Sequence, residues 1–188
     1  MIYNNFTDMP SVPYKIITYL AENNDRIFKL LKYPTKDALD NPDLTLDEKL
    51  DLLYVDEGSE ADKNLFMKPM NGDEMTDAQS QIRLYKYSIK PVSAQEAIIG
   101  YKFDFITGNK ISMVYDNGIP CPRLDLLEAE ILKTFNGTDL FGTGDFQFSR
   151  DLDTQDKEQF AMSNSKGFFG TYLIMSVRWF DTTTEECR

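Results

Sequence analysis

The chain has no histidine among its 188 residues. Histidine is the commonest general base and the commonest transition-metal ligand. Its absence excludes Ser-His-Asp and Cys-His catalysis and leaves carboxylates, two cysteines and glycine turns to carry any chemistry. Gly137, Gly142 and Gly144 suggest a phosphate loop, but that loop needs a lysine followed by Ser or Thr. Gly144 is followed by Asp145, so the glycines read as a turn before a strand at Phe146. Asp151, Asp153 and Asp156 resemble the start of a calcium loop, which would need Gly at its sixth position and Glu at its twelfth. Asp156 and Met162 stand there, so the stretch reads as an acidic surface loop.

The pairs Glu57/Glu60 and Asp73/Glu74 could serve as acid and base in a hydrolase. They lie in the most polar part of the chain, and a solvated face is the simpler account. Cys121 sits between Pro120 and Pro122, before a helix and beside Arg123. Such surroundings depress a thiol pKa, yet no histidine stands ready to act as its base, so it reads as a structural thiol at a turn. Together with Cys187 it is too few for a zinc site, and both read as reduced thiols. The sequons at Asn5 and Asn136 carry weight only in a secreted chain. Tyr85/Tyr87 and Tyr101/Phe103/Phe105 could stack single-stranded bases. The few lysines nearby, Lys86, Lys90 and Lys102, are diluted by acids, so core packing or a subunit interface is the better reading. No catalytic, cofactor-binding or metal residue is assigned.

The elements that would position these groups follow from periodicity. Pro13 opens a helix with Ile16, Ile17 and Leu20, and Asn24 caps a second with Ile27, Phe28 and Leu31. Tyr33-Pro34 ends it. Thr45 and Glu48 have the spacing of a capping box for a short helix carrying Leu46, Leu50 and Leu53. Residues 56–80 read as an acidic loop or arm with a short extended piece at Leu65–Met67. Tyr85, Tyr87 and Ile89 alternate in one strand; Ala97, Ile99, Tyr101, Phe103 and Phe105 alternate in the next. Ile111, Met113 and Tyr115 continue in strand form, and Asn117 to Pro122 forms a connection. Arg123 opens a helix with Leu124, Leu127, Ile131 and Phe135 on one stripe, closed at Asn136-Gly137. Phe146 and Phe148 alternate, residues 151–166 form a loop, and Thr171 to Trp179 make a closing strand.

These elements predict one α+β domain over 1–188, an antiparallel sheet of about four strands with helices packed on one face. Residues 1–55 form its helical part and 81–188 its strand–strand–helix–strand–strand core. Hydrophobic residues make up 41% of the chain, enough for a core. No apolar run reaches the roughly 18 residues of a spanning helix, and the N-terminus shows no secretory signal; no membrane role is expected. The net charge is −11, of which residues 35–80 carry −9, which argues against a general binder of phosphate backbones.

Two segments carry a resemblance. One runs from Gln95 through Tyr115, then Arg123-Leu-Asp-Leu-Leu-Glu-Ala-Glu-Ile131, Phe135-Asn-Gly137 and Gly142-Thr-Gly144 before a strand. The other is Pro13–Tyr54, with PYKIITYLAENNDRIFKLLKY, DAL and PDLTLDEKLDLLY. Together they resemble tailed-bacteriophage neck proteins, the head–tail connectors and tail terminators. The resemblance implies a small subunit of a homo-oligomeric ring of six or twelve copies between portal and tail. DNA would pass through the channel without specific binding, and portal or connector and tail proteins would be its partners. It implies a virion location, host cytoplasm during assembly, and no enzymatic activity, cofactor or metal. An adaptor binding one protein partner through its aromatic sheet is the alternative. Long strands at 95–107 and 170–180 are expected to offer open edges to neighbours.

Overall fold

The computed structural model describes residues 6–55, 59–69, 78–140, 144–148, 157–161 and 167–180. A 3-10 turn at Phe6–Ser11 leads into α1 (Val12–Asn23), with Pro13 in its first turn and Val12, Ile16, Ile17 and Leu20 buried on one stripe. Asn24 adopts an extended conformation and its side-chain oxygen accepts from the Ile27 amide, which starts α2 (Asp25–Lys32). Tyr33, held extended before Pro34, ends α2. The capping box of Thr45 and Glu48 is present at the head of α3 (Leu46–Asp51). Leu46 is exposed, while Leu52 and Leu53 just beyond the helix are buried. The one-and-a-half turns of α3 are too short to sustain the expected stripe.

Helix α3 feeds β1 (Leu65–Phe66), which pairs in parallel with β2 (Ser80–Ser93). β2 turns back through Ala94-Gln95 into β3 (Glu96–Gly108). After a 3-10 turn at Asn109–Ile111 come β4 (Met113–Asp116) and β5 (Ile119–Pro122), a separate two-stranded hairpin. α4 (Arg123–Phe135), β6 (Gln147–Phe148), β7 (Lys157–Ala161) and β8 (Phe168–Phe180) complete the described elements. The main sheet has the order β1-β2-β3-β8, and β6 and β7 both pair with β8. β7 meets Phe169–Leu173 and β6 meets Met175–Ser176. The six strands therefore span five positions.

The α+β class holds, and five expectations change in detail. The sheet is mixed rather than antiparallel, because β1 joins β2 in parallel. Residues 119–122 form a strand rather than a connection, and 157–161 form a strand inside the expected 151–166 loop. β3 and β8 are interior strands; among the described residues β2 lacks a second partner beyond its contact with β1 at Ile82–Arg83, and β8 lacks one beyond Ser176. The alternation of Tyr85, Tyr87 and Ile89 is broken by a bulge between Lys86 and Ser88, which shifts the strand's facing by one residue.

One hydrophobic cluster draws on every helix and on the inner face of the sheet. Ile82, Leu84, Ile99, Tyr101, Phe103, Phe105, Leu173, Met175, Val177 and Trp179 meet Leu20, Phe28, Leu127, Ile131 and Phe135 there. Phe135 joins Tyr19, Phe103 and Phe146 at ring separations near 6 Å, the tilted geometry that aromatic pairs favour.

Candidate functional site

The residues with chemical potential are dispersed. Gly137, at φ +78°, is the left-handed exit from α4; its amide donates to Phe146 O at 2.7 Å and Phe146 N returns to Thr138 O. That is a turn closed on itself, with amides already used. Gly144 lies against the Arg178 carbonyl; Gly142 lies outside the described residues, as do Asp151, Asp153, Asp156, Glu57, Asp73, Glu74, Cys187 and Asn5. Glu60 is buried and paired with Lys68, whose ammonium sits 4.4 Å over the Tyr54 ring. Cys121 is half-buried in β5 opposite Val114. Asn136 accepts from the Phe148 amide at 3.2 Å. Among the described residues no three His, Cys, Asp or Glu side chains cluster as metal ligands, and no helix is long and apolar enough to cross a membrane.

The aromatic rows separate. Tyr101, Phe103 and Phe105 are at most 1% exposed, under the helices. Neither stacked bases nor an adaptor's partner has access to that row. Tyr85 points to the other side of the sheet, where its hydroxyl donates to Asp104 Oδ2 at 2.8 Å. Burial and then Asp104 push its pKa upward. Lys102 pairs with Asp104 at 3.0 Å and lies 4.1 Å over the Tyr172 ring. Arg83 donates to the Pro69 carbonyl, and burial lowers its pKa against the pull of Asp104. The helix-free face is thus a polar network, with Ile98 and Ile174 as its buried apolar pair.

Other buried polar groups fasten elements together. Arg123 is fully buried, with no carboxylate beside it among the hydrogen bonds it makes. Nε donates to Ile111 O at 2.7 Å, Nη1 to Leu30 O and Tyr33 O, and Nη2 to Thr35 O at 2.7 Å. A helix leaves its last carbonyls unpaired and its C-terminus partly negative, and one guanidinium answers both at the end of α2. Burial lowers its pKa to about 10, which leaves it charged at neutral pH. Arg26 bridges Asp116 and Glu130 at 2.7 Å each, with its pKa raised by the Asp116 hydrogen bond above all. Asn24 adds donations to Glu130 Oε2 and Thr134 Oγ1. Lys49 donates to Ala21 O at 2.7 Å and pairs with Asp25. Asn64 ties Leu31 O to Ser80 O.

These clamps fix the β4–β5 hairpin on α2 and α4. Its turn is Asn117-Gly118, with φ +51° and +79°, the two-residue geometry that Asn-Gly favours. Val114 is buried and points inward. Cross-strand partners share a face, so the pairs Tyr115/Pro120 and Met113/Pro122 make one outward face. All four residues are exposed. This apolar face was missed because Pro120 and Pro122 read as breakers, although Asn-Gly before them is a hairpin signal. Tyr87, Ile89 and Val92 are also exposed on the far half of β2, with Tyr87 on the face of Lys102 and Ile89 on that of Ile99, and Phe180 lies opposite Glu96 at the same end.

Residues 24–177 match a family model described as YomW. No curated protein and no solved structure matches the chain.

Proposed function

The chain belongs to the YomW family, and from that premise we propose that it is a structural protein of the phage virion. A phage-encoded protein accords with that family. In this reading the subunit forms a ring of six or twelve copies in the neck, between portal and tail. The ring joins head to tail, surrounds the DNA channel, and acts by assembly rather than by catalysis. It reaches the virion from the host cytoplasm.

One observation supports the reading above the others. The buried ionic groups are spent on internal fastening, while apolar side chains stay exposed on the β4–β5 hairpin and on the far half of β2. Monomers expose scattered apolar side chains freely, but contiguous apolar faces mark association. Two different faces suit a head-to-tail contact, which closes into a ring when the rotation per subunit allows. The acids of residues 35–80 fit an exposed ring surface, where negative walls let DNA pass without adhering. Asp43, Asp47, Glu48 and Asp51 are all exposed there. Sedimentation of the purified protein tests the reading. Six or twelve times 21.7 kDa is expected; a persistent monomer at virion-like concentrations, with phage that assemble normally without the protein, would overturn it.

A further inference from the structure

A cavity opens at one end of the helix-free face of the sheet. Buried Ile98 and Ser176 form its floor. Arg178 and Phe180 flank it farther along β8, and Gly144, Asp145 and Gln147 line the other side. Its volume is about 340 Å³, near the lower end of the roughly 300–1,000 Å³ of ligand pockets. We propose that this cavity takes the arginine side chain of a partner protein. The proposal goes beyond the ring reading and does not depend on it.

Strand pairing builds the cavity. Met175, Val177 and Trp179 enter the core, so Ser176, Arg178 and Phe180, which alternate with them, share the opposite face. Ile98 stands across from Arg178, and Gly100, across from Ser176, adds no side chain. β6 meets β8 at Gln147–Ser176. Just before it Gly144, at φ +133°, passes so close to Arg178 that a Cβ there would stand 3.3 Å from the Arg178 carbonyl oxygen.

Ser176 is only 5% exposed, yet none of the hydrogen bonds among the described residues uses its hydroxyl. A buried hydroxyl without a partner is costly, and this one lines the cavity.

Charge selects the class of ligand. Arg178 Nε lies 3.1 Å from Glu96 Oε1, without the alignment of a hydrogen bond. Asp145 adds a second carboxylate, exposed at the rim. Two carboxylates thus accompany one guanidinium, in a chain whose net charge is −11. An anion would meet both acids, whereas a cation brings the site to neutrality. Shape selects the head group. Asp145, Gln147 and Ser176 offer carboxylate, amide and hydroxyl oxygens to a planar fork of donors, which a guanidinium has and an ammonium lacks. Ile98 and Phe180 offer apolar surface to the aliphatic stem, and the Phe180 ring offers a face for stacking.

Titration of the full chain labelled at its isoleucine methyl groups tests this, and methyl resonances are readable in a ring as in a monomer. The Ile98 signal is identified by its loss in Ile98→Val. N-acetylarginine amide is expected to shift it saturably. The citrulline analogue, a neutral urea of the same shape, is expected to bind about fivefold more weakly. Asp145→Asn is expected to weaken the arginine probe by a similar factor, and Ser176→Ala to weaken it also, with an unmoved Ile27 signal as the check of fold. Equal binding of the citrulline analogue, or tighter binding of N-acetylglutamate amide, would overturn the choice of a cation. N-acetyllysine amide binding as tightly as the arginine probe would overturn the choice of a guanidinium. No saturable shift at Ile98 with any of the four would overturn the site and leave the ring reading standing.

Discussion

Replacing Arg123 by methionine keeps most of the apolar stem and removes the guanidinium. Four carbonyls then lose their donor: Ile111, Leu30, Tyr33 and Thr35. Each buried acceptor left unmade costs about 1–3 kcal/mol, a gross loss of some 4–12 kcal/mol by the same reckoning. Removing a buried cation returns part of that, since burial already drives its pKa down to about 10. Breaking a buried charged network nets about 3–5 kcal/mol in general, and that is the expected loss here. At about 2–4 °C per kcal/mol for a chain of this size, Arg123→Met lowers the melting midpoint by roughly 10 °C. Lysine retains the charge with three donors in place of the planar fork, so Arg123→Lys falls between the two. Thermal melts by circular dichroism read the midpoints. Amide exchange at Tyr115 reads whether the hairpin loosens with its anchor, as it should. A methionine variant melting within about 2 °C of the parent would refute this assignment, since that is under 1 kcal/mol.

Three further outcomes follow from local geometry. Asn and Asp are equivalent as helix N-caps in general, but Asn24 also donates to Glu130 at 3.1 Å; Asn24→Asp sets carboxylate against carboxylate and is expected to cost about 1–2 kcal/mol in urea denaturation, whereas equal midpoints would contradict the network. The carboxyls of Glu48 and Asp51 are held below their ordinary values of 4.5 and 3.8, by the Thr45 amide and by Lys63 respectively. A depressed carboxyl contributes stability above its unfolded pKa and loses it as pH falls through the folded value, so melting midpoints should decline below about pH 4.5 and Glu48→Ala should flatten that decline; an unchanged acid limb would refute the assignment. Gly118 has open space around it but sits at φ +79°, so Gly118→Ala costs about 1–2 kcal/mol of backbone strain, read by the same melts.

Local signals carried much of the fold. The Asn24 cap, the Thr45–Glu48 box, the α4 stripe and the alternation of β3 each involve residues within a few positions of one another, and each appears where the sequence puts it. β1 has two residues and no period, and its parallel partner lies 17 positions on, as Leu65 meets Ile82. The bulge at Lys86/Ser88 inverts a phase that alternation assumes constant, which is why Tyr85 faces Asp104 while Ile89 faces Ile99's side of the sheet. Pro120 and Pro122 mimic breakers because their tolerance in β5 depends on its being an edge. Arg123 looked like a cation beside a cysteine; its acceptors come from positions 30 to 35 and 111, which no spacing reveals. The exposed hairpin face needed both of its strands to be seen as strands.

Imaging the native phage particle tests the central claim most directly. The account predicts a ring at the neck containing six or twelve copies of this chain. Mature particles that lack the chain altogether would contradict it.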